Sequence, residues 1–203
     1  MGTNINENPE IINESESTRR QFIFQKNLDY EKLSLYQLIK ADALEYGKWF
    51  SAIITVGFYV VLTYRLCHYF YKKKLGWLVR PLQFIAVIFT FCNINRKAII
   101  GPGLVLEHPT CVYIGPHVSM GRGCRLGPRT FISCDFHSEN PARYPVISDW
   151  INIAVGGVVM GPVTIGDDVV VGPNVVVLKD IPDKNNVMNY PPKAFLRTVD
   201  PWK

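Results

Sequence analysis

The chain has 203 residues, 48% of them hydrophobic, and carries 22 Lys and Arg against 17 Asp and Glu for a formal charge of +5. That apolar content is enough for a buried core and excludes a disordered or fibrous protein. The cations are scattered apart from Lys72-Lys73-Lys74, which argues against a nucleic-acid partner.

Residues 1–18 include Glu7, Glu10, Glu14 and Glu16, no Lys or Arg, and few apolar groups, so the sequence predicts a disordered tail over 1–21. A helical, apolar segment is expected over 22–92. Within it Leu35, Leu38, Ile39 and Ala43 recur at helical spacing, with Ser34 placed to cap the start and Gly47 the end. Two apolar stretches follow, 49–64 and 75–91, separated by Arg65 and the lysine run. Their uninterrupted cores, of about 14 and 11 residues, fall short of the ~20 that a spanning helix needs. Two placements stay open: packed on the main domain or on partner subunits, or lying in a membrane interface with Trp49, Tyr64, Trp77 and the lysines at headgroup level.

The strongest pattern comes next. Ile147, Ile153, Val159, Ile165, Val171 and Val177 stand at a strict six-residue period, and four residues after each come Ile151, Gly157, Val163, Val169, Val175 and Ile181. The phase extends upstream through Ile114, Met120, Leu126 and Ile132, punctuated by Gly115-Pro116, Gly127-Pro128, Gly161-Pro162 and Gly172-Pro173. A period of six with turn residues is neither helix nor hairpin. It describes short flat strands joined by tight turns, each coil stacking its aliphatic side chains on the next. The period breaks twice: two extra residues enter between Leu106 and Ile114, and a polar loop is extruded at 133–146. Each break contains a histidine.

Five cysteines, Cys67, Cys92, Cys111, Cys124 and Cys134, form no Cys-x-x-Cys pair, and the N-terminus lacks the form of a secretion signal. Reduced thiols in the cytoplasm are expected, either throughout it or peripherally at the inner face of the membrane.

These units resemble the hexapeptide-repeat acyltransferases. Gly101-Pro102-Gly103-Leu104-Val105-Leu106-Glu107-His108 and Ile114-Gly115 are similar to the serine acetyltransferase branch and its relatives in polysaccharide-modifying clusters. The loop Phe131-Ile132-Ser133-Cys134-Asp135-Phe136-His137 is closer to that of sugar acetyltransferases. The resemblance implies a mainly β protein, a left-handed parallel β-helix over 93–188 behind an N-terminal helical segment, with a C-terminal extension at 189–203. It also implies a homotrimer with active sites between subunits and acetyl-CoA as acyl donor.

Acyl transfer to an alcohol needs a base for the hydroxyl proton, a task that suits histidine. His108 occupies the catalytic position of the serine acetyltransferase pattern and follows Glu107, where that family has an acidic substrate-site residue. His137, with Asp135 two residues before it, is the rival. His68 and His117 read as structural or solvated. Two departures stand out: Asn93 replaces the aspartate that assists the catalytic histidine, and the serine-contacting Arg-His pair aligns with Arg143-Tyr144. For the coenzyme, Gly156, Gly157 and Asn174 are expected along the channel, and Lys179, Lys193 and Arg197 at its phosphates.

The function expected from these departures and the apolar helices is acetylation of a hydroxyl on a sugar or glycan precursor, free or lipid-linked, with no metal. The alternatives are serine O-acetylation, a γ-carbonic-anhydrase-like zinc enzyme needing three convergent histidines, and a non-catalytic trimeric scaffold.

Overall fold

A six-residue period of aliphatic residues folds here as strands of two or three residues, one per period, because a tight turn follows each one. The structure, a computed structural model, describes residues 9–47, 49–134 and 139–189. The first coil holds β1 (Asn93–Ile94), β2 (Ile99–Ile100) and β3 (Val105–Leu106), and the second β4 (Tyr113–Ile114), β5 (Ser119–Met120) and β6 (Arg125–Leu126). The third holds β7 (Phe131–Ser133), β8 (Val146–Ile147) and β9 (Asn152–Ile153), and the fourth β10 (Val158–Met160), β11 (Thr164–Ile165) and β12 (Val170–Val171). β13 (Val176–Val177), a bridge at Ile181 and β14 (Asn186–Val187) close the described part.

Like strands of successive coils pair in parallel, giving three sheets: β1-β4-β7-β10-β13, β2-β5-β8-β11 and β3-β6-β9-β12-β14. We call them the first, second and third faces of a triangular prism, a left-handed parallel β-helix. In each strand the second residue points inward, so Ile114, Ile132 and Val159 stack along the first face, Met120, Ile147 and Ile165 along the second, and Leu126, Ile153 and Val171 along the third. All nine are fully buried. Residues in the left-handed region make the turns, among them Arg129, Trp150, Asp168 and Asn174. At Gly123, φ +66°, the glycine is required twice over: the conformation disfavours a side chain, and a Cβ would run into the Trp150 ring.

Among the described residues five α-helices precede the coils: α1 (Pro9–Asp29), α2 (Leu35–Glu45), α3 (Trp49–Ile54), α4 (Val56–Lys72) and α5 (Gly76–Thr90). α1 corrects the expected tail, since the segment is helical from Pro9 onward. The reason lies in its basic half. Arg20 donates to the carbonyls of Val163 and Ala142, both at 3.1 Å, and Lys26 approaches Asp149 at 2.9 Å and Asp167 at 3.2 Å. Asn27, fully buried, donates to Ser119 and to the Ile147 carbonyl. These partners lie on the second face and in the turns and loop at its edges, so α1 crosses that face.

Ser34 caps α2 in a reciprocal capping box with Gln37. The helix presents Asp42 to the first coil, where its carboxylate accepts from the Gly103 and Leu104 amides at 2.8 and 3.0 Å. Arg65 of α4 pairs with it through two nitrogens at 2.8 and 3.0 Å and also donates to the Gly101 carbonyl. Gly57 of α4 lies so close to Leu106 that a Cβ would clash with its carbonyl oxygen. Among the described residues no helix is long and apolar enough to cross a membrane.

Candidate active site

The two breaks in the period leave the prism at different edges. Residues 107–112 lie between β3 and β4, on the edge joining the third and first faces. The extruded loop lies between β7 and β8, on the edge joining the first and second. Both edges therefore border the first face.

On the edge between the third and first faces, His108 adopts φ +49° and Cys111 φ +55°. These two left-handed residues turn the extra chain outward, and histidine tolerates that conformation better than most residues. The loop is tied down by its backbone: Glu107 N–H donates to the Leu126 carbonyl at 2.9 Å, Arg129 N–H to Thr110 at 2.8 Å and Cys111 N–H to Thr90 at 3.4 Å. The His108 side chain stays exposed, and among the described residues no hydrogen bond orients its ring.

Below it on the same edge come the turns of the next coils. Gly156, φ +69°, donates to the Pro128 carbonyl, and Asn174, φ +54°, donates to Val155. Gly156 and Asn174 touch, since a Cβ on the glycine would meet the asparagine amide oxygen. At Gly157 a Cβ would meet the Ile153 side chain, so this glycine closes the inner corner. His108, Gly156 and Asn174 thus form one column down one edge.

The other predicted residues lie elsewhere. Arg143 ends a 3-10 turn, Pro141–Arg143, in the extruded loop and is exposed. Tyr144 is buried, packed edge-on to His117 with ring centres 5.4 Å apart, and burial raises its phenol pKa. Burial likewise lowers the pKa of His117, helped by nearby Lys97. Lys179 sits exposed between β13 and Ile181, on that same edge between the first and second faces. Asp135, His137, Lys193 and Arg197 lie outside the described residues.

Asn93 opens the first face, and its side-chain oxygen accepts from Gln83 of α5 at 2.7 Å. No hydrogen bond joins it to His108 among the described residues. Sequence reasoning missed Arg125, which reaches Glu107 at 3.7 Å and Glu45 of α2 at 3.3 Å. Its only signal was a cation at an outward strand position, paired with Val105 one coil earlier. Among the described residues no three His, Cys, Asp or Glu side chains could hold a metal ion.

Beyond Asn93, the outward row of the first face is apolar. Tyr113 stacks on Phe131 at 4.9 Å, and Val158 and Val176 continue the row. The second face is crossed by α1, and the third carries Arg125, Asn152 and Asn186 outward.

No protein-family model matches the sequence. The chain is 28% identical to the serine acetyltransferase of Helicobacter pylori over 170 residues, 81% of this chain and 95% of that one. It is 32% identical to the serine acetyltransferase of Bacillus pumilus over 148 residues, 70% of this chain and 64% of that one. The serine acetyltransferase of Brucella abortus in complex with coenzyme A superimposes with a TM-score of 0.69 at 22% identity, covering 84% of this chain and 69% of that structure. This fold and these relatives support a hexapeptide-repeat acyltransferase of the serine acetyltransferase-like branch.

Proposed function

We propose that the chain transfers an acetyl group from acetyl-CoA to the hydroxyl of serine, at a site formed where two copies meet. The observation that carries this reading is the column of His108, Gly156 and Asn174 on one edge, with Arg143 on the opposite edge of the same apolar face. One chain cannot bring the two edges together. A neighbour that covers the first face in a cyclic trimer does so, because head-to-tail contact sets one edge of each copy against the other edge of the next.

In that cleft the His108 ring takes the proton of the acceptor hydroxyl as the oxygen attacks the thioester carbonyl. The new C–O bond forms, the C–S bond breaks, and the proton passes to the departing sulfur, leaving free coenzyme A and the acetyl ester. Glu107, held by Arg125, meets the acceptor's ammonium group, and Arg143 of the adjoining copy its carboxylate. Gly156 and Asn174 offer the coenzyme a bare backbone track, with Lys179, Lys193 and Arg197 near its phosphates.

Serine replaces the sugar acceptor expected from the sequence, because the matched relatives are serine acetyltransferases. A sugar hydroxyl stays as the second reading on two observations: Asn93 is engaged by Gln83, and buried Tyr144 takes the place of a histidine that would contact serine. The test is thiol release from acetyl-CoA with serine, nucleotide sugars and lipid-linked glycans. Serine-dependent release that drops by ~10²-fold or more in His108→Ala supports the proposal. Release with a sugar alone would transfer the reading to that acceptor, and no release with any acceptor would leave a scaffold.

A further inference from the structure

α5 buries one side and leaves the other bare. Val79 is fully buried, and the Cys67 thiol of α4 reaches its carbonyl at 3.8 Å. Trp77, Phe84, Ile85, Ile88 and Phe89 are between 51% and 80% exposed. At about 100° per residue these five fall within one half of the helix circumference. Phe91, just past the helix, extends the stripe and is 68% exposed. A contiguous apolar stripe of this kind marks a contact surface.

The charges around it are of one sign. Residues 46–106 contain no Asp or Glu but hold Lys48, Arg65, Lys72, Lys73, Lys74, Arg80, Arg96 and Lys97. Arg65 is spent on Asp42 and Lys72 on Glu31. Lys73, Lys74 and Arg80 remain exposed at the Trp77 end of the stripe.

We infer that this face of α5 docks on an anionic lipid surface, lying in the plane of the interface. Its aromatic and aliphatic side chains enter the acyl boundary while Lys73, Lys74 and Arg80 meet lipid phosphates. A helix of 15 residues is roughly 22 Å long, which suits lying in the interface and is too short to span it. Self-association is the poorer account, because two such faces would meet with no acidic residue in 46–106 to answer their cations. The stripe ends beside the site: Thr90, the last residue of α5, accepts from Cys111 in the His108 loop. Docking therefore carries the His108 edge to the lipid surface.

The experiment is co-sedimentation of the full chain with vesicles of phosphatidylcholine alone or rich in phosphatidylglycerol. The expected result is binding to the phosphatidylglycerol vesicles only, weakened by salt and abolished in Phe84→Glu/Ile88→Glu, whose exposed positions leave the core untouched. Lys73→Gln and Lys74→Gln should each lower the partition roughly fivefold. A wild-type chain that ignores both vesicle types, or binds both alike, overturns the inference. So does a lipid-free oligomer that dissociates in the double glutamate variant, which would make the face an interface between copies.

Discussion

One coil meets the next through Leu126 on Ile153 and Met120 on Ile147, apolar side chains that touch only their nearest neighbours. The helical layer meets the coils through Arg20, Lys26, Asn27 and the Asp42–Arg65 pair, polar groups aimed at backbone carbonyls, amides and turn aspartates. The two regions divide the work. Apolar stacking stabilises a column whatever the exact order of its coils, because each rung resembles the next. Polar contacts to named carbonyls admit one position, so the helices set a definite register on the coils, Asp42 and Arg65 on the first and α1 on those after it.

The contrast can be broken most severely at Asp42. Asp42→Ala leaves Arg65 charged, buried and unpaired, which costs about 3–5 kcal/mol. Urea unfolding followed by far-ultraviolet dichroism should then show the helices melting before the coils. Leu126→Ala attacks the other region and costs about 2–5 kcal/mol, since the fully buried side chain leaves a cavity between stacked coils. Here the same measurement should show one transition, displaced as a whole.

The smallest effect sharpens the comparison by pH. Burial depresses the His68 pKa below the free value of 6.5, outweighing the hydrogen bond to the Arg96 carbonyl and the nearby Glu31. The unfolded chain then binds this proton more readily than the folded one, so His68 costs stability as pH falls from about 6.5 toward the folded pKa, and no further below it. Unfolding midpoints at pH 5.5 and 7.5 should differ less in His68→Gln than in wild type.

The coils were legible because each strand announces itself with one aliphatic residue in six, and a turn that repeats after three strands returns to the same edge. Gly156 and Asn174, 18 residues apart, fall on one edge by that arithmetic alone. The docking of α1 was not legible. Arg20, Lys26 and Asn27 belong to no local pattern, and their partners lie more than 90 residues away in the chain. Asn93 was found by its position in the motif, but its engagement by Gln83 depends on how α5 packs, which no local pattern carries. Arg125 escaped for the same reason, as its role appears only once Glu107 and Glu45 stand beside it.

The proposed site is shared by two edges of different copies, and subunit complementation tests it most directly. His108→Ala and Arg143→Ala chains should each be inactive alone in the thiol-release assay. Co-expressed and mixed at random, they should recover about a quarter of wild-type activity, because one cleft in four then pairs an intact His108 edge with an intact Arg143 edge. Mixed trimers as inactive as their parents would contradict the shared site and place the chemistry within a single chain.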